Sequence, residues 1–337
     1  MGRGRGISRG RFLAGSAALA ALGLFAGCGR GDGSSEAEKT GASGGLASGT
    51  GAGPWGSELR LILLGTSGGP MVNEQRSSPA QVILANEVPY VVDCGSGVAR
   101  QMVSAGVDLK DLRGVFVTHQ HSDHNLDYGN LLYQAWISGL STTVDAYGPP
   151  PLAEITDLFI EQNGYDIGLR VEEEERKPFV PLVRVNEMSE GALIVEDENV
   201  KVTSTLVEHP PVEPSFAYRF DTDGRSIVVS GDTNYSEALI ELARGADVLV
   251  HEAIYEPGVR QALSGRPNEE TLYEVILDAH TTAEDAGRAA NEAGVKTLVL
   301  SHLIPGDPSV VPDDTWRQEA EKRFDGEVIV GSDLMEI

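Results

Sequence analysis

The stretch Thr118-His119-Gln120-His121-Ser122-Asp123-His124 packs three of the chain's seven histidines and a carboxylate into six consecutive positions. It follows the apolar run Gly114-Val115-Phe116-Val117, which reads as a buried strand, and precedes a helical pattern from about Leu126. Imidazoles alternating at a strand end point one way, while the next two ligand-type residues turn over the top. One short loop can therefore feed two metal ions. A polar turn needs neither three histidines nor this spacing. A site of this kind requires rigid elements beneath it, so the rest of the chain is read for a sheet that could carry the loop.

Strands are predicted at 58–65, 80–86 and 89–93, the last two as a hairpin, with a short helix over 98–105. After the histidine loop, Leu131, Leu132, Ala135 and Trp136 share one helical face, and Gly139 ends that helix. A strand at 144–147 is followed by a helical region over 152–180, which includes the charged run Glu172–Lys177, read as solvated surface. Further strands fall at 192–195, 200–207, 216–220, 226–230, 247–250, 296–301 and 327–331. Helices are expected over 235–244, within 257–279, from the capping box Thr281-Thr282-Ala283-Glu284 to Gly294, and near 315–323. Antiparallel strands come first and alternating helices and strands later. That order predicts two sheets covered by helices, a four-layer α/β arrangement.

The N-terminus reads as an address. Arg3, Arg5, Arg9 and Arg11 precede a weakly apolar run from Phe12 to Gly27, so residues 1–27 are expected to be a signal peptide. The segment ends Leu24-Phe25-Ala26-Gly27-Cys28, similar to a bacterial lipobox, which makes Cys28 the expected lipid-attachment residue and the membrane a partner through it. Residues 28–57 are rich in Gly and Ser and read as a flexible tether to a folded domain over 58–337. The second cysteine, Cys94, is expected to be a small buried thiol. The formal charge is −25, and removal of the basic leader leaves the remainder more acidic still. Such a surface repels polyanions, so composition disfavours a nucleic-acid partner.

Beyond the loop lie His209, His251, His280 and His302. His209, His251 and His302 each follow a predicted strand, as does Asp232 in Ser230-Gly231-Asp232-Thr233. Ligand-type residues recurring at strand ends suit a site mounted on one rim.

Taken with LLGTSGGP (63–70), VVDCGSG (91–97), HEA (251–253), AHTTAED (279–285) and LSHLIPG (301–307), these motifs make residues 58–337 resemble the metallo-β-lactamase fold. Within that fold they are similar to the branch containing ribonuclease Z and related exported arylsulfatases. The resemblance implies a four-layer αββα sandwich and two zinc ions, with manganese or iron as possible occupants. It assigns His119, His121 and His209 to one metal, Asp123, His124 and His302 to the other, and Asp232 to a bridge between them. It implies hydrolysis by a metal-bridging hydroxide, with Asp123 orienting it or accepting its proton. His280 would face the leaving group, and Glu252 would hold His280 in one tautomer. His251 is read either as a support of the site or as a core histidine. Thr66–Gly69 could be pocket floor or a tight turn, and Arg76 an anion contact or a surface ion pair.

Ribonuclease Z carries a long arm between the lone histidine and the bridging aspartate, whereas one hairpin separates His209 from Asp232 here. With the acidity and the leader, this led to the expectation of a small-molecule phosphate or sulfate ester as substrate. A lactone or β-lactam is the alternative on the same fold. A non-catalytic zinc-binding lipoprotein is the alternative from another class.

Overall fold

Along the first strand, β1 (Leu59–Gly65), Leu61 and Leu63 face one way and Ile62 and Leu64 the other, and all four are buried. A strand that is apolar on both faces must be covered twice. The computed structural model describes Gly56 and residues 58–337. It shows two mixed sheets packed face to face with helices on both outer sides, the four-layer αββα arrangement. The expected leader 1–27, Cys28 and the tether 28–57 apart from Gly56 lie outside the described residues.

In the first sheet β1, β2 (Ala80–Ala85), β3 (Val88–Val92), β4 (Gly114–Phe116), β5 (Val144–Gly148) and β6 (Val183–Glu187) lie side by side in chain order. Pairing is antiparallel as far as β3 and parallel beyond it. The second sheet holds β7 (Leu193–Glu196), β8 (Lys201–Val207), β9 (Ser215–Asp221), β10 (Ser226–Val229), β11 (Val248–Ile254), β12 (Thr297–Ile304) and β13 (Glu327–Val330), again in chain order across the sheet. Here β7 to β10 pair antiparallel and β10 to β13 parallel.

The helices are α1 (Val98–Ser104), α2 (Ser122–Asn125), α3 (Tyr128–Ile137), α4 (Leu152–Glu173), α5 (Glu237–Ala243), α6 (Glu256–Leu263), α7 (Glu269–Ala279), α8 (Ala283–Ala293) and α9 (Asp313–Glu321). Helices α1, α3 and α4 cover the first sheet, and α5, α8 and α9 the second. Between the sheets Phe116 stacks on Tyr147 at 5.2 Å and meets Phe220 and Tyr218 edge-on at 5.2 and 5.5 Å. This aromatic cluster anchors β4, the strand that carries the histidine loop.

Three expectations change. The helix after 152 stops at Glu173, and the chain returns as β6, an edge strand that sequence periodicity missed. Its half-buried pattern offers no clean alternation, and Arg184 is pinned to Asp145 of β5 by paired hydrogen bonds. The charged run is not wholly solvated, because Arg176 lies over the Trp136 ring and donates to Ile137 O at 2.9 Å. The cap of α8 sits one residue later than the box suggests: Thr282 accepts from Asp285 N, while Gly294 ends the helix at φ 67°.

Candidate metal centre

Val117 N donates to Tyr147 O at 2.8 Å and Val117 O accepts from Tyr218 OH at 2.8 Å, which continues the strand direction beyond β4. His119 and His121 then alternate, and α2 begins at Ser122 and folds Asp123 and His124 back over the strand end. His209 follows β8 and Asp232 follows β10, as expected at strand ends. His302 does not. It lies inside β12, at the point where the β11 register skips from Ser301 to Leu303, with φ 45°. A bulge there re-aims the side chain while the strand continues.

The donors converge on one carboxylate oxygen. Asp232 Oδ2 lies 3.7 Å from His119 Nε2, 3.9 Å from His209 Nε2, 3.3 Å from His124 Nε2 and 3.2 Å from His302 Nε2. On one side His121 Nδ1 is 3.0 Å from His119 Nε2 and 3.1 Å from His209 Nε2. On the other, Asp123 Oδ2 is 3.5 Å from both His124 Nε2 and His302 Nε2. The structure thus brings all seven expected ligands together, His119, His121, His209 and Asp232 in one group and Asp123, His124 and His302 in another, while Asp232 also lies with His280 and His302. A cavity of about 250 Å³ beside Tyr90, Arg113, Tyr147 and Asp197 contains none of them.

The residues fit divalent ions. His124 Nε2, His302 Nε2 and Asp232 Oδ1 are buried without hydrogen-bond partners, which native structures rarely tolerate unless an ion or water completes them. Burial pulls His119, His121 and His209 below the usual imidazole range, so their lone pairs are available at neutral pH. His124 goes the other way: burial opposes its charge, but the carboxylates of Asp232, Asp93 and Asp123 hold it well above that range. For Asp123, burial works against ionisation, yet His124 and His302 bring it down to about 2. Ionised carboxylates and imidazole lone pairs crowded in this way are a donor set that suits a divalent cation.

His280 Nδ1 lies 2.9 Å from Glu252 Oε1, which also accepts from Thr233 N at 3.0 Å. Burial lowers the His280 pKa, but the Glu252 carboxylate outweighs it and lifts the group to about 9. His280 also stacks at 5.6 Å on His302. His251 is elsewhere: it lies on the same face of β11 as Leu249, toward the helices, with Nδ1 against Glu252 O. It is a buried core residue, but not a satisfied one, because its Nε2 has no hydrogen-bond partner. Arg76 is not an anion contact: only 6% of it is exposed, it bonds Thr66 and Gly331, and it forms the expected ion pair with the half-exposed Asp313 at 3.0 Å, its own guanidinium being buried. Cys94 is buried with a free thiol.

Sequence reasoning missed Asp93. Its Oδ2 lies 2.8 Å from His124 Nδ1, and its Oδ1 accepts from Thr118 N at 2.8 Å. The carboxylate accepts, so His124 carries its hydrogen on Nδ1 and presents Nε2 to the centre. A signal existed in Asp93-Cys94-Gly95 at the end of an apolar strand. A Cβ at Gly95 would lie 2.6 Å from Asp123 O, so only glycine lets the two loops touch.

A family model described as the β-lactamase superfamily domain matches residues 90–303. The chain belongs to the β-lactamase superfamily. Ribonuclease Z of Mycobacterium bovis (strain BCG / Pasteur 1173P2) is 34% identical over 281 residues, covering 82% of this superfamily member and 96% of the relative. Among solved structures, the metallo-β-lactamase fold protein YhfI from Bacillus subtilis superposes with a TM-score of 0.61 at 22% identity, covering 83% of this chain and 98% of that one. Human tRNase Z, short form, gives 0.59 at 21%, covering 82% and 98%. These two establish the fold. With the clustered donors, membership makes this β-lactamase superfamily protein a metal-dependent hydrolase acting on ester bonds.

The expectation of a small-molecule substrate, with a nucleic-acid partner disfavoured, is overturned, because the curated relatives are ribonucleases by name. Two physical inferences misled. Net charge summed over a chain does not describe the field at a centre able to hold divalent cations. Nor does the single hairpin between His209 and Asp232 exclude RNA: a relative named ribonuclease Z aligns over 281 residues, 96% of its own length.

Proposed function

We propose that this protein is a two-metal phosphodiesterase that cleaves RNA, with zinc as the resident ion. The observation that carries the reading is the convergence of two donor groups on Asp232 Oδ2, with the His280–Glu252 pair alongside. The ribonuclease Z relatives support RNA as the substrate class. His119, His121 and His209 would hold one ion, Asp123, His124 and His302 the other, and Asp232 both. Bound there, such ions supply Lewis acidity toward phosphoryl oxygens and lower the pKa of water.

The chain's own groups complete the chemistry. Glu252 accepts from His280 Nδ1 and stabilises the imidazolium, so Nε2 carries a proton to give to the leaving oxygen. Asp123, held by the Gly69 amide at 3.0 Å, orients the attacking water or takes its proton. The test is cleavage of a 3′-extended precursor transfer RNA and an unstructured RNA by the purified zinc-loaded chain. The Asp232→Ala variant is the control. RNA left intact under conditions that hydrolyse an aryl phosphodiester would sink the RNA assignment.

The basic leader and Cys28 further support export, with residues 28–57 as a membrane tether to the domain at 58–337. Labelled fatty acid should be incorporated into the wild type and lost in Cys28→Ser. Equal labelling of the two would reject the anchor.

A further inference from the structure

The segment Thr66–Gly69 has no regular structure of its own, yet it touches two of the three residues assigned above to the second metal. Gly69 N donates to Asp123 Oδ2. Immediately beyond His302, Leu303 N donates to Thr66 O at 2.9 Å and Leu303 O accepts from Gly68 N at 3.0 Å. The loop therefore grips the carboxylate from one side and the bulged strand from the other.

What holds the loop is a relay centred on the Thr66 hydroxyl, which is fully buried. It donates to Asp333 Oδ1 at 2.9 Å and accepts from Arg76 at 2.8 Å. Asp333 Oδ1 takes the Thr66 amide as well, and its Oδ2 takes Ser77 N and Gln101 Nε2. Arg76 is tied in turn to Gly331 O and to Asp313. Burying a guanidinium is unfavourable unless its geometry is well satisfied. Here it is spent on one threonine and the C-terminal segment. No bond of this relay reaches His119, His121 or His209.

We propose that Arg76, Thr66 and Asp333 are positioning residues for the second metal, setting its affinity through Asp123 and His302 while leaving the first metal untouched. This rests on the two-metal reading of the site. The discriminating change is Thr66→Val, which keeps shape and removes the hydroxyl, with Thr66→Ser as the conservative rescue. Asp333→Asn preserves volume and serves as an independent probe should Thr66→Val fail to fold.

The full chain is titrated with zinc against a competing chelator, and with cobalt(II), whose absorption reports coordination at each position. Wild type and Thr66→Ser should bind two ions. Thr66→Val and Asp333→Asn should weaken the second by roughly 10–100-fold, the range for residues that orient metal ligands, with the first unchanged. Two ions held at wild-type affinities in folded variants, or equal weakening of both, would overturn the relay. Fewer than two ions on the wild type would instead refute the two-metal reading.

Discussion

Asp93→Asn isolates how much of the centre depends on a residue that touches no metal. In the wild type Asp93 Oδ2 faces His124 Nδ1 at 2.8 Å, while Oδ1 accepts from the Thr118 amide at 2.8 Å. Both neighbours need an acceptor, and an amide has only one oxygen. With that oxygen toward Thr118, the NH2 group faces His124 Nδ1. The imidazole must then move its hydrogen to Nε2, the atom aimed at Asp232 and the metal position. With the amide reversed, two donors meet at Thr118 instead. A hydrogen bond to a charged group contributes about 1.5–3 kcal/mol, and loss of a ligand's orienting partner lowers metal affinity about 10–100-fold, or about 1.4–2.8 kcal/mol. The two routes agree, so one of the two zinc affinities should fall by one to two orders of magnitude. Competition with a chromophoric chelator measures it, with circular dichroism to verify folding. Unchanged zinc affinities in a folded variant would show that His124 is not oriented through Asp93.

Four further outcomes follow. His280→Gln should lower kcat by about 10²–10⁴-fold with two metals still bound, as expected for loss of an acid at the leaving group. In metal-free protein His280 titrates near 9, so its ion pair with Glu252 stabilises the fold below the free-imidazole value and fades as pH rises through about 9; NMR should find the titration in Glu252→Gln below that of the wild type. Phe116→Ala should cost about 3–5 kcal/mol in urea denaturation, because its contacts with Tyr147, Tyr218 and Phe220 are lost in a closed core. Finally, the Tm should rise with free zinc, by the equivalent of about 4 kcal/mol at a thousandfold excess over Kd; a zinc-independent Tm would contradict ligands that lie buried and unsatisfied without it.

Much of the site was legible because its residue types are chemically conspicuous and sit on strongly apolar strands. His119, His121, Asp123 and His124 announce themselves by spacing, and His209 and Asp232 by position after a strand. His302 was placed at a strand end because period-two alternation cannot reveal a bulge, which is a property of two strands and not of one. Asp93 and Asp333 were invisible for a related reason: a carboxylate at a loop acquires its meaning only from what the tertiary fold brings opposite it. Arg76 was read as an anion contact or a surface ion pair because arginines are usually exposed; the ion pair with Asp313 is there, but the burial comes from Thr66 and from Gly331, far away in sequence. The edge strand β6 escaped because its residues are half-buried and alternate weakly. Charge and loop length misdirected the substrate because both are averages over a molecule whose chemistry is local.

The donor groups do not belong to one sheet. His119, His121, Asp123 and His124 hang from the end of β4 in the first sheet, whereas His209, Asp232 and His302 hang from the second. The bound ions would therefore act as rivets through the sandwich at one rim, while elsewhere Tyr90 OH donates to Asp197 across the layers at 2.8 Å beside a cavity of about 250 Å³. Any slip of one sheet over the other is then read directly as a change in the spacing of the metal positions. Packing between the layers becomes an adjustment of the reaction centre, and a substitution deep in the aromatic core can alter turnover without touching a ligand.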